Sequence, residues 1–329
     1  MKRIYLKRAM AIIVVVTIII GTFYLLQPKR DWIAGNMNHT VGENGVDVIC
    51  IGSSHMFCGI NPIKMYKDKG IAAYDLASGA QSPWQSYFYL KESLKTQTPK
   101  LVILDAYMLA KDLSYYKDSQ TVNNLKNAPV SLNKISAVMA STAESRLSVI
   151  LAFPYDREIS KPSFNKINSK KRLSLGYHFS NKVVPYEVDI SDICNITEYD
   201  PIEKKNEYYV RKMIEYCTDR GIDVLLVNAP CPEITDDKMR RYNYVSMIAD
   251  EYGIPFIEGC RLSAELKMDW QTDCKEDGHL NNTGVEKFTA YVEEYISANY
   301  DLPDRRNDEN YGVYEESVKW LDKKLEGQK

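Results

Sequence analysis

Two short motifs more than two hundred residues apart carry side chains that could act as a nucleophile, a base and an acid. The first, Gly-Ser-Ser-His at residues 52–55, supplies the hydroxyl of Ser54. The second, Glu-Asp-Gly-His-Leu-Asn at residues 276–281, supplies the imidazole of His279 and two carboxylates. A serine hydroxyl becomes a good nucleophile when a base removes its proton, and histidine, with an ordinary pKa of about 6.5, suits that task. The two motifs therefore permit acyl transfer through a covalent serine ester.

A carboxylate is expected to fix the tautomer of the imidazole and to stabilise its charged form. Asp277 stands two residues before His279 and Glu276 stands three before it. We favour Asp277, with Glu276 as the alternate acid. Simpler interpretations exist for both motifs. Gly-Ser-Ser is typical of a strand-to-helix turn, and Thr283 with Glu286 would form a capping box at a helix start.

Alternating strands and helices would bring the two motifs to one edge of a sheet. This alternation predicts parallel βαβ units and a three-layer α/β/α sandwich with a mostly parallel sheet. Ligands bind outside the carboxyl ends of such strands, where Ser54 would lie. Five apolar runs indicate the strands. They are 46–51, 71–76, 101–104, 224–227 and 254–257.

The first thirty residues predict a membrane anchor. Four cations within the first eight residues precede an uncharged stretch from Ala9 to Gln27 dominated by Ile, Val and Leu. About 18 to 20 residues at ~1.5 Å rise match a hydrocarbon core of ~30 Å, and the cations favour a cytoplasmic N-terminus with the main domain extracytoplasmic. A cleaved signal peptide is the alternative, but no small-x-small site follows Leu26. We expect a single-pass protein of the cell membrane, with its cytoplasmic start and transmembrane helix at 1–30 and a tether at 31–45.

The remaining chain indicates one folded domain at 46–300 and a charged flank with a helix at 301–329, which we expect to be solvated. Residues 107–200 interrupt the alternation and are rich in Tyr, Ser, Asn and Lys. We expect there a mostly helical insertion or lid above the strand ends. Within it, Arg157 offers a cation for an anionic substrate. His55, beside the nucleophile, is expected to be structural or substrate-facing.

Composition limits the classes of function. Hydrophobic residues make up 45% of the 329, enough for a sizeable core, and the formal net charge is −2. Without a basic stripe, nucleic acid is not an expected partner. The seven cysteines show no spacing typical of metal ligands, so we predict no metal site. Because seven is odd, at least one thiol is left over if others pair as disulfides within the chain.

The Gly-Ser-Ser block resembles the first block of the SGNH (GDSL-type) hydrolase superfamily, with Ser53 in place of the middle acid. The resemblance implies that Ser54 is the nucleophile, His279 the base and Asp277 the acid. The second block of that family is centred on a glycine whose amide binds the oxyanion, and Gly79 matches it. Backbone amides of Ser54 and Gly79 are therefore the expected oxyanion donors.

The third block departs from the family pattern. The family has Gly-x-Asn-Asp after the third strand, whereas residues 104–107 read Leu-Asp-Ala-Tyr and lack the asparagine. Losing one oxyanion donor typically costs about 2.7 to 4 kcal/mol of transition-state stabilisation. Asn228, at the end of its strand, is the candidate replacement.

Within the superfamily, the chain looks most like the extracytoplasmic proteins of D-alanyl-lipoteichoic acid transfer and alginate O-acetylation. The shared features are the anchor, the Gly-Ser-Ser block and the long insertion. The resemblance implies a membrane-anchored serine O-acyltransferase or esterase without a cofactor. Its expected partners are a cell-surface polysaccharide or teichoic-acid-like polymer and a membrane-bound O-acyltransferase. The missing asparagine motivates an alternative, a catalytically inactive SGNH scaffold that binds the polymer or that acyltransferase.

Overall fold

A computed structural model describes most of the chain. Arg157 lies outside the described part, as does much of the predicted insertion. The described residues are 2–26, 33–115, 118–125, 128, 131–142 and 173–327.

A parallel sheet of five strands forms the centre of the fold, so the predicted α/β class with a parallel sheet is confirmed. The strand order is β2-β1-β3-β4-β5, and every neighbouring pair is parallel. β2 and β3 lie on opposite sides of β1, which makes the β1/β3 boundary the point where ligands bind in such sheets. The strands are β1 (Val48–Gly52), β2 (Ala73–Ala77), β3 (Leu101–Asp105), β4 (Asp223–Asn228) and β5 (Phe256–Glu258).

Helices flank the sheet in two groups. α5, α7 and α9 pack together, and α11 and α12 pack on α4. Every residue of β1 and β2 is buried, which explains why β1 is a continuous apolar run rather than an alternating one. The described helices are α1 (Lys2–Leu26), α2 (Ile33–Val41), α3 (Ser54–Phe57), α4 (Pro62–Lys69), α5 (Pro83–Ser93), α6 (Asp118–Leu125), α7 (Leu132–Ser141), α8 (Ser191–Cys194), α9 (Lys204–Thr218), α10 (Asp236–Tyr252), α11 (Asn282–Asn299) and α12 (Gly312–Glu326). The 3₁₀ helices among the described residues are Tyr107–Ala110, Glu276–Gly278 and Glu309–Tyr311.

The N-terminal region begins with α1, which covers the segment predicted to be an anchor. Within the described ranges, no helix combines the length and the apolar character needed to cross a membrane. The following residues were expected to be a tether, but α2 packs on β2. Met37 is fully buried, and the Asn38 carboxamide accepts a hydrogen bond from Gln97 Nε2 at 2.8 Å. The tether prediction is therefore wrong for the residues that form α2.

The described part of the predicted insertion contains α6, α7 and α8 and a non-helical run at 177–190. This run lies along the loop that precedes α11. Val184 N donates to Cys274 O and Tyr186 N to Trp270 O, both at 2.9 Å. The run therefore supports the loop that carries the second motif, a role that the prediction of a helical lid did not include.

The C-terminal flank is part of the domain, which corrects the expectation of a solvated segment. The Arg305 guanidinium pairs with both carboxylate oxygens of Asp47, a buried residue before β1, at 2.8 Å each. Tyr314, at the start of α12, is fully buried and donates to Gly45 O at 3.1 Å. The charge pattern suggested solvent exposure because a sequence does not reveal which charges find partners.

The interior also holds a carboxylic acid without a strong partner. Asp75, in the middle of β2, is fully buried, and among the described residues neither of its carboxyl oxygens has a hydrogen-bond partner. The residue paired with Asp75 on the neighbouring strand β1 is Cys50, whose thiol is at best a weak donor. Burial therefore raises the pKa of Asp75 well above its ordinary value.

All seven cysteines are free thiols.

We expect Asp75→Asn to change how stability depends on pH. Between the ordinary pKa near 3.9 and the raised folded-state pKa, the unfolded chain is ionised while the folded chain keeps its proton, so stability falls as pH rises. In that window the unfolding free energy of the wild type should fall relative to Asp75→Asn by about 1.4 kcal/mol per pH unit. Urea unfolding at several pH values measures this difference. Asp223→Asn, at an exposed acid on β4, is the control. Parallel pH curves for the wild type and Asp75→Asn would contradict the assignment.

Candidate active site

The first motif forms a tight turn at the carboxyl end of β1. β1 ends at Gly52, Ser53 caps the next helix, and Ser54 is the first residue of α3. A Cβ at Gly52 would lie 2.1 Å from the Cβ of Asp105, so no larger residue fits there without displacing β3. The turn exposes part of Ser54 while Ser53 stays buried.

Asp105, the last residue of β3, holds this turn in place. Its Oδ2 accepts from Ser53 N at 2.9 Å and from Ser53 Oγ at 2.6 Å, and its Oδ1 accepts from Tyr107 N at 2.9 Å. Burial raises the pKa of Asp105, and these three hydrogen bonds oppose the rise because they favour the charged form. The carboxylate thus links the ends of β1 and β3.

The structure brings Ser54 and His279 together. His279 Nε2 lies 2.7 Å from Ser54 Oγ, and His279 Nδ1 lies 3.0 Å from the main-chain oxygen of Glu276. A carbonyl oxygen can only accept, so Nδ1 carries the proton in this contact. Nε2 then presents its lone pair to the serine hydroxyl, which is the protonation state that a general base requires.

The predicted acids do not contact the imidazole. The carboxylate of Glu276 pairs with Lys182 at 3.2 Å, and Asp277 lies in a left-handed turn with φ of 60°. Among the described residues, no carboxylate forms a hydrogen bond with His279. This differs from the prediction that Asp277, or Glu276 as alternate, orients the base. The main chain makes that contact because the left-handed turn directs the Glu276 carbonyl back toward the ring.

Tyr186 fixes the loop that carries this carbonyl. Its hydroxyl donates to Lys275 O at 3.1 Å and accepts from Gly278 N at 2.8 Å. Gly278 has φ of 66°, and a Cβ there would lie 2.9 Å from Cys231 Sγ. The loop is therefore held at both ends of its turn, and a side chain at Gly278 would be strained.

His55 supports the plane of His279. It is only 3% exposed, and its ring stacks on His279 with centroids 4.4 Å apart and on Tyr107 with centroids 3.4 Å apart. Burial, followed by the charges of His279 and nearby lysines, lowers the pKa of His55 well below its ordinary value. A neutral ring in this position can hold His279 without competing for the Ser54 proton. Burial contradicts the substrate-facing expectation and agrees with the structural one.

A second pair, formed by buried Lys275 and exposed His178, adjoins the loop that carries the base. Lys275 is 5% exposed, and its Nζ lies 3.0 Å from His178 Nδ1, while its backbone N donates to His279 O at 2.8 Å. Burial, followed by the charge of Lys275, lowers the pKa of His178. A neutral His178 can accept from the ammonium group. Sequence patterns did not indicate this pair, because neither residue belongs to a motif.

Of the three expected oxyanion donors, the amides of Ser54 and Gly79 are free to donate within the described part of the chain, whereas Asn228 lies elsewhere. Gly79 lies in the loop after β2, and its carbonyl accepts from Gln120 Nε2 at 2.6 Å. Among the described residues, the amides of Ser54 and Gly79 have no acceptor. Asn228 lies on β4, separated from β1 by β3, and its Nδ2 donates to Glu258 at 2.9 Å. The structure therefore does not bring Asn228 to the Ser54–His279 pair.

Comparisons with known proteins give distant structural likenesses. One is to a Bacteroides fragilis protein provisionally named an acylhydrolase, at 13% identity and a TM-score of 0.42, over 82% of this chain and 98% of that one. Another is to a GDSL-like lipase from Bacteroides thetaiotaomicron, at 12% identity and a TM-score of 0.37, over 77% of this chain and 88% of that one. No family model matches the chain, and no curated protein matches it. The chemistry of the site rests on its own geometry.

Proposed function

We propose that this chain is a serine esterase or O-acyltransferase of the SGNH type that uses Ser54 and His279. The contact of 2.7 Å between His279 Nε2 and Ser54 Oγ, at the carboxyl edge of a parallel sheet, is the observation that carries the proposal. The hydrogen bond from Nδ1 to Glu276 O supports it, since it leaves Nε2 free to accept a proton.

The reaction proceeds in two steps, acylation of Ser54 and then release of the acyl group. Ser54 Oγ attacks the acyl carbonyl while its proton passes to His279 Nε2, and the amides of Ser54 and Gly79 are the proposed donors to the oxyanion. The C–O bond to the leaving alcohol breaks, and that alcohol takes the proton from Nε2. A water molecule or a sugar hydroxyl then attacks the Ser54 ester, gives its proton to Nε2, and releases the acid or the new ester as the proton returns to Ser54. No cofactor is needed.

We place this chemistry outside the cytoplasm, on a cell-surface polysaccharide or teichoic-acid-like polymer, beside a membrane-bound O-acyltransferase. The uncharged stretch from Ala9 to Gln27 supports anchoring. So do the side chains described between Met10 and Ile18, which are apolar for the most part and exposed. Recovery of the full chain in the aqueous phase of a detergent phase separation would contradict the anchor.

Labelling with a fluorophosphonate probe tests the serine chemistry. We expect the wild type to be labelled and Ser54→Ala to lose the label entirely, because the probe reacts with an activated serine hydroxyl. Ser297→Ala, at an exposed serine of α11, is the control and should keep the label. Equal labelling of Ser54→Ala would refute the assignment of the nucleophile.

Two observations favour the alternative of an inactive scaffold: no described carboxylate holds the imidazole, and the third block lacks its asparagine. Two results together would support the scaffold. The probe would not label the wild type, and the wild type and His279→Ala would bind the polymer or the acyltransferase equally well.

A further inference from the structure

Two lysines share one aromatic ring beside the Ser54–His279 pair. Lys111 Nζ lies 4.8 Å and Lys238 Nζ 5.8 Å from the centroid of the Tyr107 ring. Lys111 follows the 3₁₀ helix after β3, and Lys238 lies in the first turn of α10, after β4. Both therefore sit at the carboxyl edge of the sheet, the edge at which Ser54 follows β1.

The lysine pair is connected to the site through stacked rings. Tyr107 stacks on His55, and His55 stacks on His279. The charges of Lys111 and Lys238 both contribute to lowering the pKa of His55, which places them within electrostatic reach of this stack. A positive potential at this position acts on any group that enters the site.

The charges of the pair are not neutralised by an ion pair. Among the described residues, no carboxylate lies within ion-pair distance of either ammonium group. Asp112, the neighbour of Lys111 in sequence, pairs instead with Arg241 at 3.6 Å. Lys238 Nζ donates to the main-chain oxygen of Glu233 at 2.8 Å.

The charge of the Glu233 carboxylate raises the pKa of Lys111 less than burial and Lys238 lower it, and this carboxylate lies near Gly278, where a Cβ would be 3.3 Å from Glu233 Cδ. Burial and the charge of Lys238 lower the pKa of Lys111. Two partly buried like charges without an ion-paired carboxylate cost free energy. That cost is offset when an anion binds between them.

We propose that Lys111 and Lys238 bind a negatively charged group of the substrate, a phosphate or a carboxylate, while Ser54 handles its acyl ester. This inference rests on the proposed function, because it assigns the substrate class of the same site. Lysine suits the role, since an ammonium group is a compact point charge that pairs with either anion. Tyr107 lies near both ammonium groups and stacks on His55, so it links the anion site to the Ser54–His279 pair.

Binding measured without turnover tests the proposal. Calorimetry on Ser54→Ala would compare glycerol 1-phosphate with glycerol, and galacturonate with methyl galactoside. We expect at least one anion to bind about tenfold or more tightly than its uncharged partner, and this preference to weaken as salt increases. The anion that binds more tightly identifies phosphate or carboxylate as the natural group.

The double variant Lys111→Gln/Lys238→Gln in the Ser54→Ala background should lose that preference. Lys319→Gln, at an exposed lysine of α12, is the matched control and should keep it. Absence of any preference for an anion, or a preference that survives the double variant, would overturn the proposal. Since no acyl ester forms in this assay, its failure is distinct from failure of the labelling experiment, which tests the nucleophile.

Discussion

Replacing His279 with alanine is expected to lower kcat/KM for ester cleavage by about 10⁴-fold or more, whereas Asp277→Ala is expected to change it by less than about tenfold. His279 is the group within 2.7 Å of the serine hydroxyl, so its loss removes the base. Asp277 makes no described contact with the ring, and the tautomer is fixed by the main-chain oxygen of Glu276 at 3.0 Å.

Hydrolysis of 4-nitrophenyl acetate by the three proteins measures this contrast, with circular dichroism to verify folding. Glu276→Ala is the matched control for the alternate acid, since the substitution keeps the main-chain oxygen and removes the carboxylate paired with Lys182. If Asp277→Ala lost as much activity as His279→Ala, the Asp277 side chain would have to reach the imidazole in solution, and the main-chain assignment would be wrong.

The second large effect is expected at Asp105. Asp105→Ala removes the acceptor for Ser53 N, Ser53 Oγ and Tyr107 N at once. Unsatisfied buried donors typically cost about 1 to 3 kcal/mol each, and partial access to water reduces that here. We therefore expect the free energy of unfolding to fall by about 3 kcal/mol. We also expect kcat/KM to fall by about 10²-fold, because a displaced turn misaligns Ser54 with His279.

Urea unfolding and the same ester assay measure the two effects of Asp105→Ala. Ser53→Ala is the graded comparison, because it removes only the hydroxyl, which donates to Asp105 and accepts from His55 N as the cap of α3, and leaves the backbone N–H bonded to Asp105. We expect it to cost about 1 kcal/mol. An Asp105→Ala protein as stable and as active as Ser53→Ala would show that the carboxylate does not organise the turn.

The sheet and the Ser54–His279 pair were predictable from the sequence, because both depend on patterns that residue types determine. Continuous apolar runs bounded by glycine and polar residues predicted β1 and β3, and parallel strands place their carboxyl ends at one edge. A serine after one strand and a histidine before a late helix therefore had to lie near each other.

The partner of Nδ1 was not predictable, because it depends on backbone angles rather than on side chains. Two acids close to His279 favoured a carboxylate, yet φ of 60° at Asp277 turns the Glu276 carbonyl toward the ring. Asp105 was overlooked for a related reason. The family pattern drew attention to the missing asparagine, whereas Asp105, one residue before that position, is the side chain that holds Ser53. The stacking of His55 on His279 was not predictable, because it depends on the geometry of α3, and a helix of four residues has no recognisable sequence pattern.

A main-chain oxygen is present whatever residue is encoded, so the third member of this site cannot be deleted by a side-chain mutation at position 276. Genetic drift can exchange the acids at 276 and 277 while the base keeps its orientation. Selection then acts on the shape of the loop, above all at Gly278, where a side chain would meet Cys231. In relatives of this chain, an invariant glycine beside a variable acid would be the evolutionary trace of such a site.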